Sequence, residues 1–229
     1  MNFRWLGPVA LLAVLFIGDQ IRIHRPGHKY RLTLEVETPE GLKTGSGIFS
    51  VHPDRGYSRH GHTTTRGDAV FVDLGGGKNL VALMAHIDGT IDLDGMNYLA
   101  LRASKAAGRN VSFNEMSRMT GAVPVTGALI PVLVTFADVR DPATVRTAPS
   151  DALASFGNGF RLRDVHVEVV PNGLWPLDFG GPLGEPVTRG IAAKLPWLNG
   201  PENSSAIAMQ AARLPTTEAL DAREAFTRK

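Results

Sequence analysis

Tyr30, Leu32, Leu34 and Val36 alternate with Arg31, Thr33, Glu35 and Glu37, and this period of two constrains the chain more than any other feature. Successive side chains of a strand point to opposite faces, so the alternation predicts a sheet with one face on a core and the other in water. Thr38-Pro39-Glu40-Gly41 follows with turn chemistry: proline presets φ at the second position and glycine closes the turn. The return segment, Leu42 to Val51, ends in the apolar Ile48-Phe49-Ser50-Val51, so a hairpin is expected. Within it, Thr44-Gly45-Ser46-Gly47 lacks the glycine two before the serine that a GxSxG elbow needs. Its glycines are expected to permit a bulge or close strand packing.

The polar, aperiodic stretch from His52 to Gly67 reads as a loop or irregular edge. Ala69 to Leu74 and Leu80 to Ala85 are short apolar runs joined by Gly75-Gly76-Gly77-Lys78-Asn79, which predicts a second hairpin of central strands. A phosphate loop would need GxxxxGK[ST] leading into a helix, whereas another strand follows here. Asn97 to Ala107, stopped by Gly108, reads as helix, and Ser112-x-x-Glu115 as a capping box. Val132 to Phe136, and the alternation of Val165, Val167 and Val169, add strands; Ser150 to Phe156 reads as a short helix closed by Gly157. After the proline- and glycine-rich stretch from Pro171, Val187 to Leu198 is expected to drape over the core. Thr217 is expected to cap a weakly amphipathic, frayed helix from Glu218 to Phe226.

The fold class that follows is α+β, mainly antiparallel sheet with short helices, preceded by one N-terminal hydrophobic helix. The expected division is a signal anchor or signal peptide over 1–29, one domain over 30–200, and a polar C-terminal tail with a possible helix over 201–229.

Met1 to Arg4 is short and basic, Trp5 to Gly18 is uncharged and almost wholly apolar, and Asp19 ends the run. A span needs about 20 apolar residues and a signal-peptide core about 7 to 15. By length the run fits a signal-peptide core better, but the exit Phe16-Ile17-Gly18-Asp19-Gln20 offers no small-x-small cleavage site, which makes an uncleaved anchor touching the membrane through residues 5–18 credible. The alternative is a buried N-terminal helix of a cytosolic domain, and the basic residue ahead of the run speaks against it. Arg22, Arg25, Lys29 and Arg31 oppose an outside body by the positive-inside rule. The expected placement is still a single pass of the inner membrane with the main domain in the periplasm.

With 24 basic and 22 acidic residues spread along the chain, the net charge of +2 marks no patch and implies no nucleic-acid partner. The chain has no cysteine. That excludes disulfides, thiolate metal sites, a cysteine nucleophile and an acylated lipoprotein-type cysteine.

Histidine and carboxylate make the one cluster with chemistry in it. His52, His60 and His62 fall in one polar loop, His86 ends the fourth strand, and Asp88, Asp92 and Asp94 follow. A loop folded onto that strand end would let His60, His62, His86 and Asp88 ligate a divalent ion. The spacing matches neither a finger nor HExxH, and Asp92-Leu93-Asp94-Gly95 lacks the alternate oxygen ligands and closing glutamate of a calcium loop. Solvated histidines and turn-forming aspartates are the plainer reading, and no cofactor is implied. Trp175, Phe179 and Trp197 are read as anchors filling the core edge, the alternative being an exposed aromatic surface for a partner.

Three segments, TLEVETPEGLKTGSG (33–47), PVLVTFADVRDPATVRTAPSDALASFGNGFRLRDVHVEVV (131–170) and VTRGIAAKLPWL (187–198), together resemble a family of proteobacterial envelope proteins with no assigned activity. In that family a signal or lipoprotein-type segment precedes the body; this chain departs from it in having no cysteine to acylate. The resemblance implies an envelope location and carries over no catalytic residue. The expected function is a non-enzymatic, membrane-tethered or exported binding domain with an envelope protein as possible partner. The alternatives are a metal-dependent hydrolase built on the His60, His62 and His86 region, and a component of a prophage or secretion assembly.

Overall fold

In chain order the elements are α1 (Leu6–His24), β1 (His28–Thr38), β2 (Gly41–His52), β3 (Thr64–Asp68), β4 (Val70–Gly75), β5 (Lys78–Ala82), β6 (His86–Asp88), β7 (Thr90–Asp92) and α2 (Leu99–Ala106). After these come β8 (Ala122–Pro124), β9 (Leu133–Phe136), β10 (Val145–Thr147), β11 (Arg161–Val170), α3 (Ile191–Lys194), α4 (Ser204–Ala211) and β12 (Thr227–Arg228). The computed structural model describes residues 6–55, 62–148, 153, 156–173, 184–201, 203–216 and 220–229. The expected helix at Ser150 to Phe156 and its capping serine lie largely outside these residues, as do His60, Trp175, Phe179, Thr217 and Glu218.

The alternating segment becomes β1, with Tyr30, Leu32, Leu34 and Val36 fully buried. On its other face Arg31 donates to Glu168 at 2.9 Å and Arg161 to Glu37 at 2.8 Å, across the β1–β11 pair. The hairpin to β2 runs in register from Thr38↔Gly41 to His28↔Val51. Thr38 Oγ1 donates to the Gly41 carbonyl at 2.8 Å, and Gly41 takes φ +115°, a region open to glycine at no steric cost. A six-stranded antiparallel sheet results, in the order β12-β3-β2-β1-β11-β8.

The second predicted hairpin is β4–β5. Its two turn residues, Gly76 and Gly77, both have positive φ, +58° and +76°, as a type I′ turn demands. With β9 and β10 it forms a four-stranded sheet ordered β10-β9-β5-β4. Both faces of that sheet are covered. Val70, Val72, Leu74, Leu80 and Ala82 enter the cluster shared with β1 and β2, while Val81, Val134 and Phe136 enter a second one. That two-sided burial is why these strands read as continuous apolar runs. These antiparallel sheets, the short helices and the apolar α1 make the fold α+β.

Gly45 and Gly47 sit where β2 passes beneath β4. A Cβ on Gly45 would lie 2.7 Å from the Phe71 carbonyl oxygen and 2.7 Å from a Val72 methyl, and backbone cannot retreat as a side-chain tip does. Gly45→Val is therefore expected to destabilise the protein by about 3 kcal/mol. The exposed Ser46→Ala should stay within about 0.5 kcal/mol. Urea unfolding of both variants checks this, and equal midpoints would remove the close approach as a constraint.

The C-terminal segment departs from the frayed tail that its composition predicts. Ile191, Leu195, Trp197 and Leu198 lie over the outer face of the four-stranded sheet as expected, but Ala208, Met209, Ala225 and Phe226 beyond them are buried on it as well. Trp197 meets Phe226 edge-on at 5.1 Å between ring centroids and lies 5.9 Å from Phe136. The Ala69 and Met84 amides donate to the Phe226 and Ala225 carbonyls at 2.8 and 2.7 Å. The reason is geometric: the stretch from Ala222 to Ala225 is a 3₁₀ turn and β12 two residues of strand, so no 3.6-residue apolar stripe was available to announce it.

Candidate functional site

Of the four residues proposed as metal ligands, His60 lies outside the described residues, and the structure describes the other three, His62, His86 and Asp88. His62 lies on the wall of a polar cavity, whereas His86 is buried at the start of β6 with its Nε2 2.9 Å from the Leu129 carbonyl. That contact makes Nε2 the protonated nitrogen and leaves Nδ1 bare, against Gly95 and without a hydrogen-bond partner. Burial pushes the His86 pKa down. Asp88 is exposed beside the β6–β7 turn, paired across it with Thr90. No group of three or more histidines and carboxylates among the described residues is arranged to hold a metal ion. Asp92 accepts from the Asp94 and Gly95 amides at 2.8 and 3.1 Å, a local turn of the kind expected of aspartate.

The cavity on whose wall His62 lies has a volume of ≈ 630 Å³ and is built from three distant stretches: β3, the 3₁₀ turn Asp94–Tyr98, and the C-terminal 221–229. Asn97 organises its floor. The buried side chain donates to the Thr63 carbonyl at 2.6 Å and to Asp94 Oδ1 at 3.0 Å, and accepts from Thr65 Oγ1 at 2.8 Å. Every polar atom of the amide is thus used to hold the turn against β3. Beneath that turn, Tyr30 donates to the Met96 carbonyl at 3.0 Å, and burial raises its hydroxyl far above the ordinary phenol range, so it acts as a donor only.

Arg228 closes the opposite side. Its guanidinium donates to the Glu224 carbonyl at 3.0 Å and to the Met84 carbonyl. Burial lowers its pKa, and the carboxylates of Glu224, Asp94 and Asp92 oppose that shift. With Arg66, Arg223 and Lys229 also on the wall, cations outnumber the carboxylates Asp94, Asp221 and Glu224. A site so lined can engage a small polar or anionic group through charge-assisted hydrogen bonds. Among the described residues that line it there is no cysteine or serine.

Sequence reasoning passed over one pair. Ser50 Oγ stands 2.9 Å from His52 Nε2, and His52 Nδ1 stands 2.9 Å from the His24 carbonyl, the hydrogen-bond order of a serine–histidine dyad. Ser50 is only 2% exposed and lines none of the described cavities, so the pair works as a latch between β2 and the end of α1. Burial first, then the charge of Arg66, pulls the His52 pKa down to about 4. The signal was there in Ser50-x-His52, two apart on one face of a strand.

α1 is long and apolar enough to cross a membrane by length and composition, and none of its Gly7–His24 window is buried in the body; a signal sequence shares those properties. Comparison with protein-family models, with curated proteins and with solved structures returned no match.

Proposed function

We propose that this protein is a non-enzymatic binding domain tethered in the inner membrane by α1, with its body in the periplasm and its ligand taken in the polar cavity closed by the C-terminal segment. The observation that carries the reading is α1 itself. Val9, Leu11, Leu12, Val14, Leu15, Phe16 and Ile17 all stand exposed along it, while Gly27, three residues after its end, is hydrogen-bonded into the body at Val51. So much bare apolar surface on one helix is costly in water and suited to hydrocarbon. The likeness of the three sequence segments to envelope proteins supports the same location, and an envelope protein remains the proposed partner. The cavity supports binding over catalysis because its charged groups are committed to structural hydrogen bonds at its floor and offer hydrogen-bonding cations at its wall.

The full chain is expected to stay in the membrane pellet through an alkaline carbonate wash with Met1 retained by intact mass. A chain shortened by residues 2–26 should be released as soluble protein. An alkaline phosphatase fused after Lys229 should be active if the body lies outside. Release of the full chain by carbonate, or a mature N-terminus beyond Gly18, would replace the tether with a cleaved export signal, and an inactive fusion would turn the body inward.

A further inference from the structure

A second cavity, of ≈ 530 Å³, opens where α1 meets the body. Gly18, Ile21, Arg22 and Arg25 come from the helix end and the residue after it, Arg55 from the segment after β2, and Phe113 and Ser117 from the 3₁₀ turn Phe113–Arg118. No carboxylate lines it among the described residues. Arg22 is held by Asp19 at 2.9 Å, and Arg55 donates to the Arg25 carbonyl at 2.7 Å, so the guanidinium groups of Arg22 and Arg55 are positioned by the fold.

On the proposed tether, this cavity has a defined depth. The Gly7–His24 window of 18 residues rises about 27 Å at 1.5 Å per residue, close to the ~30 Å of a bilayer's hydrocarbon core. Arg22 and Arg25 then fall where acyl chains give way to headgroups, and anionic headgroups attract such juxtamembrane cations. We infer that this cavity binds the phosphodiester headgroup of an anionic glycerophospholipid, with Arg22, Arg25 and Arg55 facing the phosphate and the apolar side of Ile21 and Phe113 facing the start of the acyl chains. The guanidinium fork suits phosphate oxygens better than an ammonium would. A lipid is favoured over an acidic protein segment because the cavity adjoins the bare apolar surface of α1.

The inference rests on the tether, and the test separates the two. The full chain is reconstituted into nanodiscs of equal parts phosphatidylcholine and phosphatidylglycerol, and the lipids that remain bound are read by native mass spectrometry. Phosphatidylglycerol is expected to be retained about tenfold over phosphatidylcholine. Arg25→Gln should lower that preference about fivefold, and the Arg25→Gln/Arg55→Gln pair should abolish it. Arg25→Lys should keep part of it. Arg25 is exposed, so loss of folding is not at issue for its variants. No preference in the wild-type chain, or a preference untouched by the double variant, would overturn the inference while leaving the tether standing. Displacement of the lipid by excess inorganic phosphate would make this a site for free phosphate and overturn it too. Failure of the chain to enter nanodiscs at all would overturn the tether and the site together.

Discussion

Phe226→Ala is expected to destabilise the protein by about 4 kcal/mol, lowering its thermal midpoint by roughly 8 to 16 °C. The ring is buried between Trp197 and the outer face of the four-stranded sheet, and truncating it leaves a cavity that close-packed neighbours fill only in part. The damage spreads by connection. Phe226 sits between Ala225, which accepts from Met84, and β12, where Thr227 Oγ1 donates to the buried Asp68 at 2.7 Å. Asp68 also accepts from the Ile191 amide at 3.0 Å, so the segment that Phe226 anchors holds the start of α3 as well. Because Arg228 follows directly, the cavity proposed for ligand should loosen with it. Phe226→Leu keeps most of the volume and should cost about 1.5 kcal/mol or less. Thermal unfolding of the detergent-solubilised chain decides the matter; a loss below about 1 kcal/mol for alanine would mean that the C-terminal segment is outside the cooperative unit.

Acid is expected to act at least as strongly. Burial pulls the pKa of His28 down to about 4, and burial together with Arg66 does the same for His52. Both folded values lie below the 6.5 of the unfolded chain, so the unfolded state binds protons first as pH falls. The stability is whole above pH 6.5, is lost progressively toward pH 4, and then levels off. At 1.36 kcal/mol per pKa unit the full loss is about 3 kcal/mol for each histidine, of which about 2 kcal/mol falls between pH 6.5 and 5. Urea midpoints across that window should therefore drop steeply, and His28→Gln with His52→Gln should flatten the dependence by more than half. His86, also pushed down by burial, supplies part of what remains. An unchanged slope in the double variant would show that these two rings are not the acid-labile elements.

The parts of the fold legible in the sequence were those whose pattern is local. Tyr30 to Val36 announced a strand by alternation, Gly76-Gly77 a tight turn by the φ that glycine tolerates, and Ser112 with Glu115 a capping box; Glu115 accepts from both the Ser112 amide and hydroxyl, at 2.9 and 2.6 Å. The polar cavity was not legible, because its walls come from residues near 65, 95 and 225 that no short window contains. Arg228 reads as one more charged tail residue until the backbone folds it under Met84. The histidine and carboxylate neighbourhood was legible only as residue type. What His86 and Asp88 do locally came from the fold: His86 Nε2 faces the Leu129 carbonyl, and Asp88 stands at the β6–β7 turn.

The contact between Asp68 and Thr227 joins residues 159 apart, and it sets an order of events during synthesis. A ribosome can release β1 to β5 early, and their hairpins can form, but the outer face of the four-stranded sheet stays uncovered until the segment from Ile191 has emerged and is not closed until residues 225–228 follow. Contacts this distant close late, since the intervening chain must give up its loop entropy first. A nascent chain in that condition presents Val81, Val134 and Phe136 to whatever meets it, whether chaperone or translocation machinery. On the proposed placement of the body outside the membrane, a fold that does not lock before residues 225–228 emerge would suit a chain that crosses as an extended thread.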